Sequence, residues 1–263
     1  MPKFAANLSM LFTELPFLDR FEAAAQAGFN AVEFLFPYAW APELIGQRLH
    51  DHGLQLVLHN MPPGNFDAGE RGIACHPDRI AEFRAGVGQA LRYAQVLGAP
   101  QLNCLAGIAP AGVADAVLRQ TLVGNLAYAA AALGGAGLKL LVEPINTFDM
   151  PGFYINRTAQ AAAILDEVAA RVGSGIAYIQ YDIYHAQRME GELSATLQKY
   201  LPRIAHIQIA DNPGRHEPGS GEINYPFLFS HLDQIGYTGW IGCEYKPTTS
   251  TQAGLGWRQQ MAV

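Results

Sequence analysis

The stretch Gly137-Leu138-Lys139-Leu140-Leu141-Val142-Glu143-Pro144 sets the pattern of the whole chain. A glycine closes the Ala- and Leu-rich segment Asp115–Leu133, an apolar run follows from Leu138 to Ile145, and a carboxylate stands near its end. A run that is apolar throughout, instead of alternating, belongs to a strand buried on both faces, as in a parallel sheet covered by helices. The same kind of run recurs at Phe4–Leu8, Ala31–Phe36, Leu54–His59, Gln101–Ala106, Ile176–Asp182, Ile204–Ala210 and Trp240–Tyr245.

Between these eight runs lie segments with apolar residues at helical spacing: Phe17–Ala27, Pro42–His52, Asp78–Leu97, Asp115–Leu133, Thr158–Arg171, Leu193–Leu201 and Pro226–Ile235. Gly28, Gly53, Gly98, Gly137 and Gly236 precede the next strand by a few residues, where α/β units place a left-handed helix cap. Eight βα units in 263 residues predict an α/β protein, a single (β/α)8 TIM barrel spanning 1–263 as one domain. An open doubly wound sheet needs only five or six strands. Two connections, Asn60–Pro77 and Asp211–Tyr225, are too long for plain βα turns, and both leave the strand ends at which TIM-barrel active sites form.

Half the residues are hydrophobic, 15% are charged and the mean hydropathy is +0.06, which excludes a disordered or low-complexity chain. A net charge of −6 with no block of Lys or Arg argues against nucleic acid and anionic membrane as partners. Cys75, Cys104 and Cys243 are too far apart for a disulfide framework or a Cys-x-x-Cys knuckle. The N-terminus lacks the basic segment and long apolar core of a secretory signal, so the expected setting is a reducing cytoplasm, and a homo-oligomer is compatible with this composition. Asn125, Gly134, Gly135, Gly137 and Lys139 interrupt the apolar stretch 121–142, which reads as a buried helix running into a buried strand. No phosphate-loop motif or Gly-x-Ser-x-Gly elbow occurs, and Leu91 stands where a dinucleotide fingerprint begun at Gly86-Val87-Gly88 would need glycine; nucleotide cofactors and serine-hydrolase chemistry are unsupported.

Polar side chains stand near the ends of the last four apolar runs: Glu143, Asp182, Gln208 and Glu244. Each acid taken alone could be a cap or a salt-bridge partner. Three carboxylates at equivalent heights on neighbouring strands would repel one another, however, and buried acids need a counter-ion. The donor set is hard oxygen, three carboxylates and one amide carbonyl, which suits a divalent metal, Mg²⁺ or Mn²⁺. Arg215 in the long loop and Lys246, two residues beyond Glu244, are candidates to meet an acidic substrate, the alternative for each being a solvated charge. His185, three residues after Asp182, and His59, at the end of the third run, are candidates to line the same mouth. Glu217 either orients Arg215 or lies solvated.

The sequence Phe4-Ala5-Ala6-Asn7-Leu8-Ser9-Met10, the strand Ala31-Val32-Glu33-Phe34-Leu35-Phe36-Pro37, the loop Arg215-His216-Glu217-Pro218 running into Gly221-Glu222-Ile223-Asn224-Tyr225-Pro226, and Gly239-Trp240-Ile241-Gly242-Cys243-Glu244-Tyr245-Lys246-Pro247 resemble the hydroxypyruvate isomerase family within the xylose-isomerase-like TIM barrels. The likeness covers nearly the whole chain. It implies a metal held by Glu143, Asp182, Gln208 and Glu244, with Glu143 and Glu244 also the acid/base pair. It implies as substrate a small anionic hydroxy-oxo acid: hydroxypyruvate, giving tartronate semialdehyde (2-hydroxy-3-oxopropanoate) through an enediolate, or a 2-oxo-tetronate, giving the 3-oxo isomer. In related ketose 3-epimerases a histidine commonly fills the place of Gln208, which points away from sugar epimerisation. Two further readings are an endonuclease acting at abasic sites, opposed by the charge of −6 and the eight scattered histidines, and a binding protein without catalysis.

Overall fold

The computed structural model describes residues 2–260. Its strands are β1 (Lys3–Asn7), β2 (Ala31–Phe34), β3 (Gln55–Asn60), β4 (Gln101–Cys104), β5 (Lys139–Val142), β6 (Ala177–Asp182), β7 (Ile204–Ile209) and β8 (Trp240–Cys243). They pair in parallel in sequence order, and β8 closes on β1 through Lys3 opposite Trp240 and Ala6 opposite Cys243. The architecture is a (β/α)8 barrel. Each expected strand is present, and several are shorter at the C-terminal end, because the chain stays apolar after it has left the hydrogen-bonded ladder.

The helices are α1 (Arg20–Gln26), α2 (Pro42–Asp51), α3 (Ile80–Leu97), α4 (Asp115–Gly135), α5 (Thr158–Val172), α6 (Ile183–Met189), α7 (Leu193–Tyr200), α8 (Tyr225–Gln234), α9 (Thr251–Gly254) and α10 (Trp257–Gln260). Gly28, Gly53, Gly98, Gly137 and Gly236 all adopt left-handed backbone, with φ between 62° and 82°. The apolar stretch 121–142 is split, as expected, between α4 and β5. Buried Asn125 is accommodated in α4 by donating to the Ala74 carbonyl at 2.9 Å. Among the described residues no helix is long and apolar enough to cross a membrane.

Helix α6 was not expected from periodicity. It follows β6 with no intervening turn because Asp182, the last strand residue, caps it: Oδ1 accepts from the backbone N–H of Tyr184 at 2.8 Å and of His185 at 3.4 Å.

One core gathers outward strand residues such as Val32, Leu102, Val142 and Ile207 with helix residues such as Phe21, Val87, Leu126 and Leu165. A second, smaller cluster of Ala5, Ala31, Val57, Leu58 and Leu141 fills the barrel interior. Toward the C-terminal ends of the strands the interior turns polar: Asn7, Glu33, Asn103, Glu143, Gln180, Asp182, Gln208 and Glu244 are all buried. Register shifts mark bulges in β3, where Val57 is the extra residue opposite Val32/Glu33, and in β7, where Ala205 is the extra residue opposite Ile179/Gln180, and such bulges re-aim side chains at barrel rims.

Candidate active site

Glu143 is the first residue beyond β5, Asp182 the last of β6, Gln208 lies in β7 and Glu244 is the first beyond β8. All four are at most 5% exposed. The loop after β7 brings in a cation. Asp211 folds back so that its carboxylate accepts four backbone N–H bonds, from Asn212, Gly219, Gly221 and Ile223. The Arg215 N–H bonds the Asp211 carbonyl at 2.8 Å, and Arg215 takes φ of +56°, a left-handed conformation uncommon for a residue with a side chain. The guanidinium then reaches the acids, with Nη2 at 2.6 Å from Glu244 Oε1 and 3.7 Å from Asp182 Oδ2, while Cζ lies 5.2 Å from the Tyr184 ring centre.

Amides hold the acids in place. Asn103 and Gln180 donate to Glu143 Oε2 at 2.8 and 3.0 Å. Gln208 Nε2 and Asn7 Nδ2 donate to Glu244 Oε2 at 2.6 and 3.0 Å. The Nε2 of His185 lies 3.8 Å from Glu143 Oε1 and 3.6 Å from Asp182 Oδ2. Its Nδ1 meets the Asn146 Nδ2 at 2.6 Å. The orientation of that amide is fixed, since Asn146 Oδ1 accepts from the N–H groups of Phe148 and Asp149.

Burial pushes the Glu143 carboxyl well above the usual range, and the charges of Glu244 and Asp182 push it further. Burial also raises Asp182, against the opposing pull of Arg215 and the two capping N–H groups. Glu244 is pushed up to about 8, chiefly by burial, with Arg215 opposing. Burial, then the charges of Arg215 and Arg188, holds His185 well below its ordinary value, so the ring is neutral. Burial disfavours the charge of Arg215, but Glu244, Asp182 and Glu143 more than offset it.

These facts suit a divalent ion. Three ionised carboxylates against one guanidinium leave a charge of −2, which one such ion neutralises. Asp182 Oδ2 is buried with no hydrogen-bond partner, and Glu143, Asp182 and His185 each offer a ligand atom, all within 4.8 Å of one another. A buried Glu–Asp–His triad of this kind could hold a metal ion.

The sign of the pH dependence follows. Carboxyls whose folded pKa is raised contribute stability that is complete below the ordinary carboxylate range and is lost as pH rises through the folded value, about 8 for Glu244. Buried His185, and His59 at about 4, act oppositely: their contribution is complete above 6.5 and is lost as pH falls. Between pH 6.5 and 8 only the carboxyl effect acts. The metal-stripped protein is therefore expected to show a falling Tm from pH 6.5 to about 8.5, and Mg²⁺ or Mn²⁺ to raise Tm more at the higher pH, because ligands must shed protons. Thermal melts followed by circular dichroism check this, and a Tm increment independent of pH would refute it.

Of the residues singled out in the sequence, the structure brings together Glu143, Asp182, Gln208, Glu244, Arg215 and His185. Gln208 differs from expectation in orientation: its nitrogen faces Glu244, while its oxygen accepts from Gln180 Nε2 at 2.6 Å. Lys246 is not brought in. Strand β8 ends at Cys243, so the two-residue alternation does not extend to it, and an exposed Lys246 serves the site through its backbone, its N–H bonding the Arg215 carbonyl at 2.8 Å. His59 also stays out. It faces the outer side of the barrel wall, stacked against Phe34 with Tyr38 at its edge. Glu217 braces the loop after β8 by accepting from Thr248, and does not touch Arg215.

Asn7, Glu33, Asn103, Asn146, Gln180 and His206 were not anticipated. Gln180 and His206 precede Asp182 and Gln208 by two residues, so strand alternation alone would have placed them on the same inward face.

A closed parallel barrel with polar and acidic side chains gathered at the C-terminal ends of its strands is the arrangement of a TIM-barrel enzyme. The family described as xylose isomerase-like TIM barrel matches residues 21–262, and the chain belongs to it. The chain is 53% identical to hydroxypyruvate isomerase of Escherichia coli (strain K12) over 257 residues, 98% of each chain. It is 50% identical to 2-oxo-tetronate isomerase of Cupriavidus necator, over 98% of this chain and 97% of that one. A crystal structure named AP endonuclease, family 2, from Brucella melitensis superposes with a TM-score of 0.95 at 45% identity, covering 99% of both chains. With relatives this close over its length, the chain is an enzyme of the isomerase class.

Proposed function

We propose that the protein isomerises a short hydroxy-oxo acid, hydroxypyruvate to 2-hydroxy-3-oxopropanoate, by proton transfer between neighbouring carbons, with a divalent metal held by Glu143, Asp182, Gln208 and Glu244. The observation that carries this is the convergence of buried Glu143 and Glu244, both with raised proton affinity, beside a fixed Arg215. The isomerisation removes a proton from C3, next to the carbonyl, and returns one to C2, while the C3 hydroxyl proton ends on the C2 oxygen. Glu143 and Glu244 serve as base and acid, each tuned by burial toward the pH at which it must both take and give a proton. Mg²⁺ or Mn²⁺, when bound, supplies Lewis-acid stabilisation of the enediolate.

Arg215 binds the substrate carboxylate. Only its Nη2 bonds Glu244, and its buried Nε has no partner within the protein. His185 is a donor to a substrate oxygen. Because Asn146 presents an N–H to Nδ1, that nitrogen is the acceptor and Nε2, the atom facing Glu143 and Asp182, carries the proton, so in this reading His185 donates and the four oxygen ligands hold the ion.

The 2-oxo-tetronate isomerases at 50% and 46% identity support the four-carbon reaction as the second reading, since the chemistry is the same with one more carbon in the pocket. The endonuclease name of one similar structure finds no support in the charge of −6, and the buried triad contains a single histidine. The test compares kcat/KM for hydroxypyruvate and for the 2-oxo-tetronates, with Mg²⁺, with Mn²⁺ and after chelation. Turnover of one of them, lost on chelation and regained with the ion, is expected; no turnover of either would remove the proposal.

A further inference from the structure

Below the three acids of the site lies a further carboxylate-centred contact set that the proposed reaction does not use. Glu33, in β2, is fully buried. Its Oε1 accepts from Asn7 Nδ2 at 2.9 Å and Gln208 Nε2 at 2.7 Å, and its Oε2 lies 2.6 Å from His206 Nε2. Two of these donors are shared, because Asn7 Nδ2 and Gln208 Nε2 are also the groups that bond Glu244 Oε2.

The barrel wall is shaped for this carboxylate. A Cβ at position 242 of β8 would lie 2.3 Å from both oxygens of Glu33, so Gly242 leaves the room that the carboxylate fills. On the other side, β3 bulges at Val57, so that Glu33 comes to pair with Leu58.

The consequence concerns the amide of Gln208. Its nitrogen sits between two carboxylate oxygens, which only accept, so the amide has one possible orientation. Its oxygen must point away from Glu33 and Glu244, toward Gln180 and Glu143. We infer that Glu33 is a positioning residue of the metal site: it holds Gln208 with its oxygen turned away from Glu33 and Glu244, free to serve as a ligand, and through Asn7 and Gln208 it holds Oε2 of Glu244, leaving Oε1 for Arg215 and the ion. This rests on the reading of Gln208 and Glu244 as residues of that site.

Glu33→Leu fills nearly the same space and offers no acceptor to Asn7 Nδ2 or Gln208 Nε2, so Gln208 loses its anchor. Calorimetric titration of the metal-stripped protein with Mn²⁺ is expected to show affinity weakened about 10- to 100-fold, the range for lost hydrogen-bond partners of metal ligands. Saturating Mn²⁺ should restore much of kcat, a recovery that a merely loosened core would not show. Gly242→Ala, which displaces the carboxylate without removing it, should weaken Mn²⁺ in the same direction. A wild-type protein that does not bind Mn²⁺ would refute the metal reading itself. Wild-type binding with both variants within twofold of it would refute the role of Glu33 alone, and so would failure of both variants to fold, which would make Glu33 a residue of the core.

Discussion

Glu244→Gln is expected to lower kcat about a thousandfold, within the span of about 10² to 10⁴ associated with a positioned acid or base. The substitution is nearly isosteric, and the amide still offers an oxygen to Gln208 Nε2 and Asn7 Nδ2. What it removes is the proton-carrying function and the partner of Arg215 Nη2. Fold and Tm should therefore change far less than turnover. Glu143→Gln should behave in the same way, since Asn103 and Gln180 can still donate to the remaining oxygen. The measurement is steady-state kinetics at saturating Mg²⁺ or Mn²⁺ with bound metal counted by elemental analysis. Turnover of hydroxypyruvate and 2-oxo-tetronates within a few-fold of wild type, with metal bound, would refute the acid/base assignment.

Arg215→Met should act on binding more than on chemistry. Loss of one member of a buried charge pair costs about 2 to 5 kcal/mol, and about 3 kcal/mol corresponds to a rise in KM of roughly two orders of magnitude. The decisive comparison is with dihydroxyacetone, an uncharged hydroxyketone that has no carboxylate to lose. Its deuterium exchange from solvent should fall only by the further rise of the Glu244 carboxyl once Arg215 is gone, far less than the loss in kcat/KM for the acid. An equal loss for both compounds would instead make Arg215 a structural brace for Glu244 and Asp182.

The barrel was legible because parallel strands buried on both faces leave continuous apolar runs, and left-handed glycines punctuate them. Strand ends were less so: Leu138–Ile145 stays apolar, yet the ladder stops at Val142, and the connection through Arg157 is longer than the sequence indicated. The acids of the site were visible because a carboxylate ending an apolar run demands an explanation. Lys246 misled because alternation was extended past the end of the ladder, and His59 because position along a strand does not by itself say which face a side chain takes. The amides were missed for another reason. One Asn or Gln within an apolar run looks like a tolerated exception, although alternation counted back from Asp182 would have put Gln180 on the inward face.

The four N–H bonds that Asp211 gathers make the loop 211–225 a closed clasp whose shape depends little on what its outer residues are. Arg215 can then remain in register while the exposed Ser220 varies, its neighbours Gly219 and Gly221 being held by the clasp itself. Such a segment is a natural unit of divergence: its exposed side chains outside the clasp can change without rebuilding the barrel or disturbing the acids beneath it.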